Sequence, residues 1–207
     1  YELSSGKKLH NVELSSLLPD GGHLANAIAI DPAGNAYVTD SLSPIIYKVD
    51  TNGNASIFLR SEHFEGKGIN LNGILYHPDG YLITVKKNTG TMFKVPLDKP
   101  EAFETIDLSE QIKASDGLVL LDKNSLALIA NSDSNGMFLV KTTDAWVTAT
   151  VTLKKSFPDD YVTTGTIADG GLYVLHSNLN KLKIDPKTND VTVRAPATIE
   201  KVATLMP

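Results

Sequence analysis

Asn26, Asn72, Asp116 and Thr164 occupy the same place in four restarts of one phrase: Leu24–Asp31, Leu71–Pro78, Ser115–Asp122 and Thr163–Gly170. The steps between them are 46, 44 and 48 residues. The first three carry carboxamide or carboxylate oxygens, the donors that suit hard cations such as Ca2+ or Mg2+. The chain has no cysteine and no paired-histidine spacing, which disfavours zinc. A period of this size marks one supersecondary unit repeated in a stack or a ring. In a ring, all three oxygen donors would face one centre. Taken singly, Asn and Asp also bond local backbone readily, so turn capping is the other reading of each.

A second registered set follows at steps of 46, 45 and 45 residues: Asp40, Lys86, Asn131 and His176. Each ends the second strand of its unit. Adjacent strands in a sheet of this kind run antiparallel, so these ends should lie at the same mouth as the starts of the first strands. There Lys86 could hold an anionic substrate group and His176 could act as acid or base near neutral pH. The alternative is a ring of loop-capping polar residues around a solvated opening. His23 and His77 fall in loops beside the repeats and read as exposed or turn-bonded. Trp146 reads as packing between units.

The elements that must position these residues recur in a fixed order. In the first unit an apolar run, Ile28–Ile30, leads to the turn Asp31–Asn35 and a strand at Ala36–Thr39. A break at Ser41–Pro44, a strand at Ile45–Val49, a turn at Asp50–Asn54 and a strand at Ala55–Leu59 complete it. Four strands in about 45 residues is the period of a β-propeller blade. The expected fold is all-β, with four-stranded antiparallel blades at about 24–60, 70–109, 114–154 and 162–196 in a single 1–207 domain. Residues 1–18 match only the last half of a blade, and 198–205 reads as a closing strand that pairs with an earlier blade. Four and a half blades suggest part of a larger propeller, with six blades when complete. No segment shows sustained helical periodicity, so little helix is expected.

Several phrases resemble the SMP-30/gluconolactonase family within the calcium-dependent phosphotriesterase superfamily, and the related NHL-type propellers. They are Ile28-Ala29-Ile30-Asp31-Pro32-Ala33-Gly34-Asn35-Ala36-Tyr37-Val38-Thr39-Asp40-Ser41, and Asn72-Gly73-Ile74 leading to His77-Pro78-Asp79-Gly80. The resemblance runs from Tyr1 to about Arg194. It implies a six-bladed propeller with a divalent cation, usually Ca2+, in the central channel. Asn26 and Asn72 match two amide ligands of that family and Asp116 its carboxylate ligand, while a glutamate ligand would lie upstream of Tyr1. It further implies a hydrolase in which the cation polarises a lactone, ester or phosphoester and Asp116 activates water or attacks. Lys86 and His176 would assist. Two other readings share the shape: an NHL-like scaffold that binds a ligand or protein, and a strictosidine-synthase-like propeller that needs no metal.

The bulk numbers bound the partners. Net charge is −5 across 207 residues, with no basic cluster of the kind that neutralises phosphates, so a nucleic-acid partner is not expected. No apolar run approaches the ~20 residues that span a bilayer, and no membrane role is expected. A small-molecule substrate is. The chain begins with Tyr1 rather than Met, which leaves room for a removed leader or for an upstream segment completing the propeller. Asn54-Ala55-Ser56 fits the N-glycosylation triplet of secreted chains.

Overall fold

The computed structural model describes residues 1, 2, 4–132, 134–185, 187, 188, 190–193 and 196–202. Within these there is no α-helix, and four short 3-10 turns interrupt a succession of strands. The first unit is an antiparallel sheet of β1 (Ala25–Ile30), β2 (Ala36–Asp40), β3 (Ile45–Val49) and β4 (Ala55–Arg60), laid side by side in sequence order. Its two tight turns are built alike. Asp31 accepts the backbone N–H of Asn35 at 2.9 Å, and Asp50 accepts that of Asn54 at 2.9 Å. A short carboxylate that bonds its own backbone fixes a turn in this way, and with it the register of the strands on either side.

The second unit repeats the order with β5 (Leu71–His77), β6 (Tyr81–Lys86), β7 (Thr91–Pro96) and β8 (Glu104–Leu108). The third does so with β9 (Ser115–Asp122), β10 (Ser125–Ala130), β11 (Gly136–Lys141) and β12 (Thr148–Ser156). The outermost strands of these two units pair in parallel, Asp107 opposite Thr148 and Leu108 opposite Ala149. That pairing joins them into one eight-stranded sheet. The innermost strands β1, β5, β9 and β13 (Val162–Ala168) are successive neighbours. Antiparallel sheets whose innermost strands sit side by side in this way are the blades of a β-propeller.

Successive side chains on a strand point to opposite faces, so a blade with a neighbour on each side buries both faces of its strands. β6 and β10 are buried along their whole length. Leu82 packs toward the first blade with Tyr37, Ile46 and Phe93, whereas Ile83 and Val85 pack toward the third with Leu126, Leu128 and Trp146. Between the third and fourth units lie Ala127, Ile129 and Met137 against Val162, Leu172 and Val174. β1 has only one covered face: Ala29 is buried, while Ile28 and Ile30 are each 62% exposed.

Both ends depart from the repeat. No strand forms among the described residues of 1–18, because Ser4-Ser5-Gly6-Lys7-Lys8 has little to bury; instead Leu14, Leu17 and Leu18 pack on Val38, Ile45 and Tyr47. In the fourth unit β14 (Gly171–His176) pairs with β13 and, on its other side, with β17 (Thr198–Val202). The segments expected as third and fourth strands form a separate two-stranded ribbon, β15 (Lys183–Ile184) and β16 (Val191–Val193). β17 takes the place beside β14 because its register delivers Val202 opposite Leu172, into the buried cluster. Ile184 in the ribbon is 57% exposed and has no such burial to gain. The strand expected to close on an earlier blade therefore pairs within the last unit. Residues 203–205 of that expected strand lie outside the described residues.

Candidate functional site

Each innermost strand carries a register slip against its neighbour at the site residue or beside it. The slips fall between Ala25 and Ile28 on β1 and between Leu71 and Ile74 on β5. On β9 Gly117 and Ser115 face Ile129 and Ala130, leaving Asp116 as the extra residue. On β13 the slip falls between Val162 and Thr164. A bulge of this kind re-aims a side chain and leaves backbone groups without ladder partners. Neighbouring second strands supply them. Thr39 Oγ1 accepts the Ala27 N–H at 3.2 Å, and Thr84 Oγ1 donates to the Gly73 carbonyl at 2.9 Å.

Glycine follows three of the four site residues because the innermost strands crowd there. A Cβ on Gly73 would stand 2.2 Å from the carbonyl oxygen of Asp116, and one on Gly117 would stand 2.6 Å from Cα of Thr164. No L side chain fits at those separations. Close approach of the backbones brings Asn72, Asp116 and Thr164 round a shared space.

That space is a cavity of about 690 Å³, lined by Asn26, Asn72, Lys87, Asp116 and Thr164, with Ile28, Ile74 and Leu118 among its apolar walls. Its size is that of a small-molecule pocket. Asp116 is the centre of its hydrogen bonding. Oδ2 of Asp116 accepts from Lys87 Nζ at 3.1 Å and from Asn131 Nδ2 at 2.5 Å, and the Asn72 side chain bonds the same carboxylate. Lys87 Nζ also donates to Asn131 Oδ1 at 2.7 Å, closing a ring of three side chains. Burial pushes the Asp116 carboxyl above the usual carboxylate range; Lys87, Asn131 and Asn72 offset this only in part. On the first blade, Asn26 Nδ2 donates to Ser41 Oγ at 2.8 Å, and Ser41 Oγ donates to the Leu71 carbonyl at 2.6 Å.

The second registered set does not meet as a group. Asn131 joins Asp116, as just described. Asp40 is buried under its own loop, accepting from the backbone N–H groups of Leu24, Leu42 and Ser43 and from the Tyr47 hydroxyl, each at 3.0 Å. His23 Nδ1 lies 2.8 Å from Asp40 Oδ2 and its Nε2 2.7 Å from the Leu18 carbonyl. That hydrogen bond to Asp40 raises the His23 pKa. Burial pushes Asp40 upward, but the Leu24 N–H, His23 and the other donors more than offset it and leave its pKa lowered.

Lys86 does not line the cavity. Its Nζ donates to the carbonyls of His63, at 3.2 Å, and Glu65, and burial lowers its pKa. His176 is also outside the lining: Nδ1 lies 3.1 Å from Asp160 Oδ2 and Nε2 3.2 Å from Glu200 Oε2, with Phe157 edge-on at 5.2 Å. His77 is buried and turn-bonded rather than exposed: it stacks on Tyr81 at 4.2 Å, its Nδ1 accepts the Asp79 N–H at 3.2 Å, and its Nε2 lies 2.8 Å from the Lys123 carbonyl. Trp146 is buried in the core between the second and third blades.

Lys87 is the cavity residue that the repeat register passes over. It stands one place beyond the strand end where Lys86 keeps the period, and side-chain alternation gives no guide once the ladder stops. Its position is fixed by backbone: Lys87 N–H donates to the Asn70 carbonyl at 2.8 Å and its carbonyl accepts from Ala114 N–H at 2.8 Å.

The donor set bears on the cation implied by the resemblance. Two amides and one carboxylate are hard oxygen ligands of the type Ca2+ takes. Among the described residues no three His, Cys, Asp or Glu gather as a metal-holding group. The one carboxylate in the set already takes an ammonium on Oδ2 and amide hydrogens from Asn131 and Asn72. As arranged, these three donors do not fit a divalent cation, because Lys87 neutralises the one carboxylate among them.

No family model matches the chain, and no curated protein matches it. Solved structures do. The major allergen Mala s 1 of Malassezia sympodialis is 18% identical, with a TM-score of 0.63 over 80% of this chain and 54% of its own. A catalytically inactive virginiamycin B lyase from Staphylococcus aureus, solved with quinupristin, is 17% identical, with a TM-score of 0.60 over 90% of this chain and 58% of its own. A gluconolactonase from Xanthomonas campestris is 15% identical, with a TM-score of 0.60 over 74% and 56%. The chain thus spans little more than half the length of these proteins. At such identities the likeness carries the propeller fold.

Proposed function

We propose that this chain belongs to a small-molecule hydrolase of the lactonase and esterase type, working in the central cavity. The observation that supports it most is the buried Asp116 carboxylate, held by Lys87, Asn131 and Asn72 on the wall of a cavity of about 690 Å³. A carboxylate made more basic by burial is suited to taking a proton from water. Asn131 holds both Asp116 and Lys87 and so fixes their separation. Asn26, Asn72 and Thr164 present polar groups to a substrate whose remaining surface meets Ile28, Ile74 and Leu118. Membership of the SMP-30/gluconolactonase family is part of the same proposal, supported by the phrases at blades one and two and by the propeller shared with the Xanthomonas gluconolactonase. No step of it runs through Ca2+ or Mg2+, since the donors as arranged do not fit one.

The test is a screen of aliphatic lactones and aryl esters against the wild type and Asp116→Asn. Turnover by the wild type that is lost in the variant is expected. Turnover that survives Asp116→Asn rules out Asp116 as the base, and no turnover with any substrate leaves a binding scaffold as the reading.

A further inference from the structure

We infer that the Lys87 ammonium is the resident positive charge of this cavity, in place of a divalent cation, and that the substrate reacts as an uncharged acyl compound. The inference as to substrate rests on the hydrolase reading above; the inference as to cation binding does not.

The geometry carries it. Lys87 Nζ lies 3.1 Å from Asp116 Oδ2 and 2.7 Å from Asn131 Oδ1. It thus sits against the carboxylate oxygen that a cation at this centre would need. The side chain is only 16% exposed, and the backbone on both sides of it is bonded to Asn70 and Ala114, so the ammonium is held in the cavity by its own main chain. A divalent cation on Asp116 would have to displace or repel it at short range. Among the described lining residues Lys87 and Asp116 offset each other's charge, and Ile28, Ile74 and Leu118 add apolar surface. A lactone or ester, neutral until it is cleaved, suits that wall better than a phosphate or sugar acid.

In the reaction the water oxygen bonds to the acyl carbon as its proton passes to Asp116. The carbonyl π pair moves onto the carbonyl oxygen, which Lys87 stabilises by a charged hydrogen bond while keeping its own proton. The pair then returns, the bond from carbon to the leaving oxygen breaks, and that oxygen takes the proton from Asp116. The products are a carboxylic acid and an alcohol, or one hydroxy acid from a lactone.

The test has two independent readouts on the full chain. Calorimetric titration of the wild type with CaCl2 should show no saturable binding. Hydrolysis should be indifferent to EDTA and should fall about 10²- to 10³-fold in kcat on Lys87→Met, the loss typical of one oxyanion donor, with KM little changed. Lys87→Arg should recover part of it, and Lys86→Met should lose at least tenfold less. Saturable Ca2+ binding by the wild type that Asp116→Asn abolishes overturns the inference whether or not any substrate is turned over. So does Lys87→Met with wild-type kcat. Absence of any hydrolysis removes the hydrolase reading and its substrate class, while the calcium titration still decides the charge.

Discussion

Two sets of residues keep the same period, yet only one of them converges. Asn26, Asn72, Asp116 and Thr164, at the starts of innermost strands, line one cavity. Asp40, Lys86, Asn131 and His176, at the ends of second strands, go four ways: into a loop, onto two carbonyls, onto the Asp116–Lys87 pair and between two carboxylates. Both sets are at the mouth by topology. The difference lies in what aims the side chain. A bulged innermost strand pressed against its neighbour has one direction left open, toward the axis. A strand end hands its last residue to a loop, and each loop here offers it a different set of partners. Spacing therefore specifies depth along the fold, and local backbone specifies direction.

The largest expected effect separates the two carboxylates that the period places at the same mouth. Asp116→Asn should reduce kcat about 10²- to 10⁴-fold, the range of general-base catalysis, with a modest change in melting temperature. Asp40→Ala should do the reverse. It strips a buried carboxylate from three backbone donors, Tyr47 and His23, and should cost about 3–5 kcal/mol in denaturant unfolding, with kinetics of the folded fraction retained. Equal kinetic losses in the two variants would erase the distinction between the sets.

Gly73→Ala tests the crowding that makes the first set converge. With the new Cβ aimed at the Asp116 carbonyl 2.2 Å away, the second and third blades must part, at a cost of about 1–3 kcal/mol. Activity should fall with it, because Asn72 and Asp116 sit on the strands that separate. A variant with wild-type stability and rate would show that close approach is not what gathers the site.

The smallest effect concerns pH and the loop-bound member of the second set. The His23 pKa is raised in the fold by Asp40, so its contribution is fully present below the ordinary value of about 6.5 and is lost as pH rises through the raised value. The Asp40 pKa is lowered, so its contribution holds above about 3.9 and is lost as pH falls through the lowered value. His23→Gln should flatten the upper limb of a melting-temperature profile and leave the lower one, a change of under about 1 kcal/mol for a partly exposed pair. A profile with no upper limb in the wild type would remove the His23–Asp40 pair as a charged contact.

Much of the fold was legible in the chain. Turns such as Asp31–Asn35 and Asp50–Asn54 announce themselves by residue type, and strands such as Tyr81–Lys86 by their aromatic, apolar and β-branched content. The fourth unit was not legible, since Lys183–Ile184 and Thr198–Val202 compete for one place and only the burial of Val202 decides between them. At the site, Asn26, Asn72 and Asp116 came from the period. Lys87 did not, because Lys86 is the one in register; only the path of the backbone between Asn70 and Ala114 turns its neighbour inward. The glycine after Asn72, Asp116 and Thr164 was a signal of close approach, visible in the chain as a spacing without a stated cause.

On the proposed reading Asp116 and Lys87 act as one unit in the axial cavity, and a double-mutant cycle in kcat/KM decides whether they do. Residues that act together are far from additive, so Asp116→Asn with Lys87→Met should lose little more than the worse single variant. Losses that multiply across the two substitutions would mean that the pair does not share a step, and would contradict the site described above.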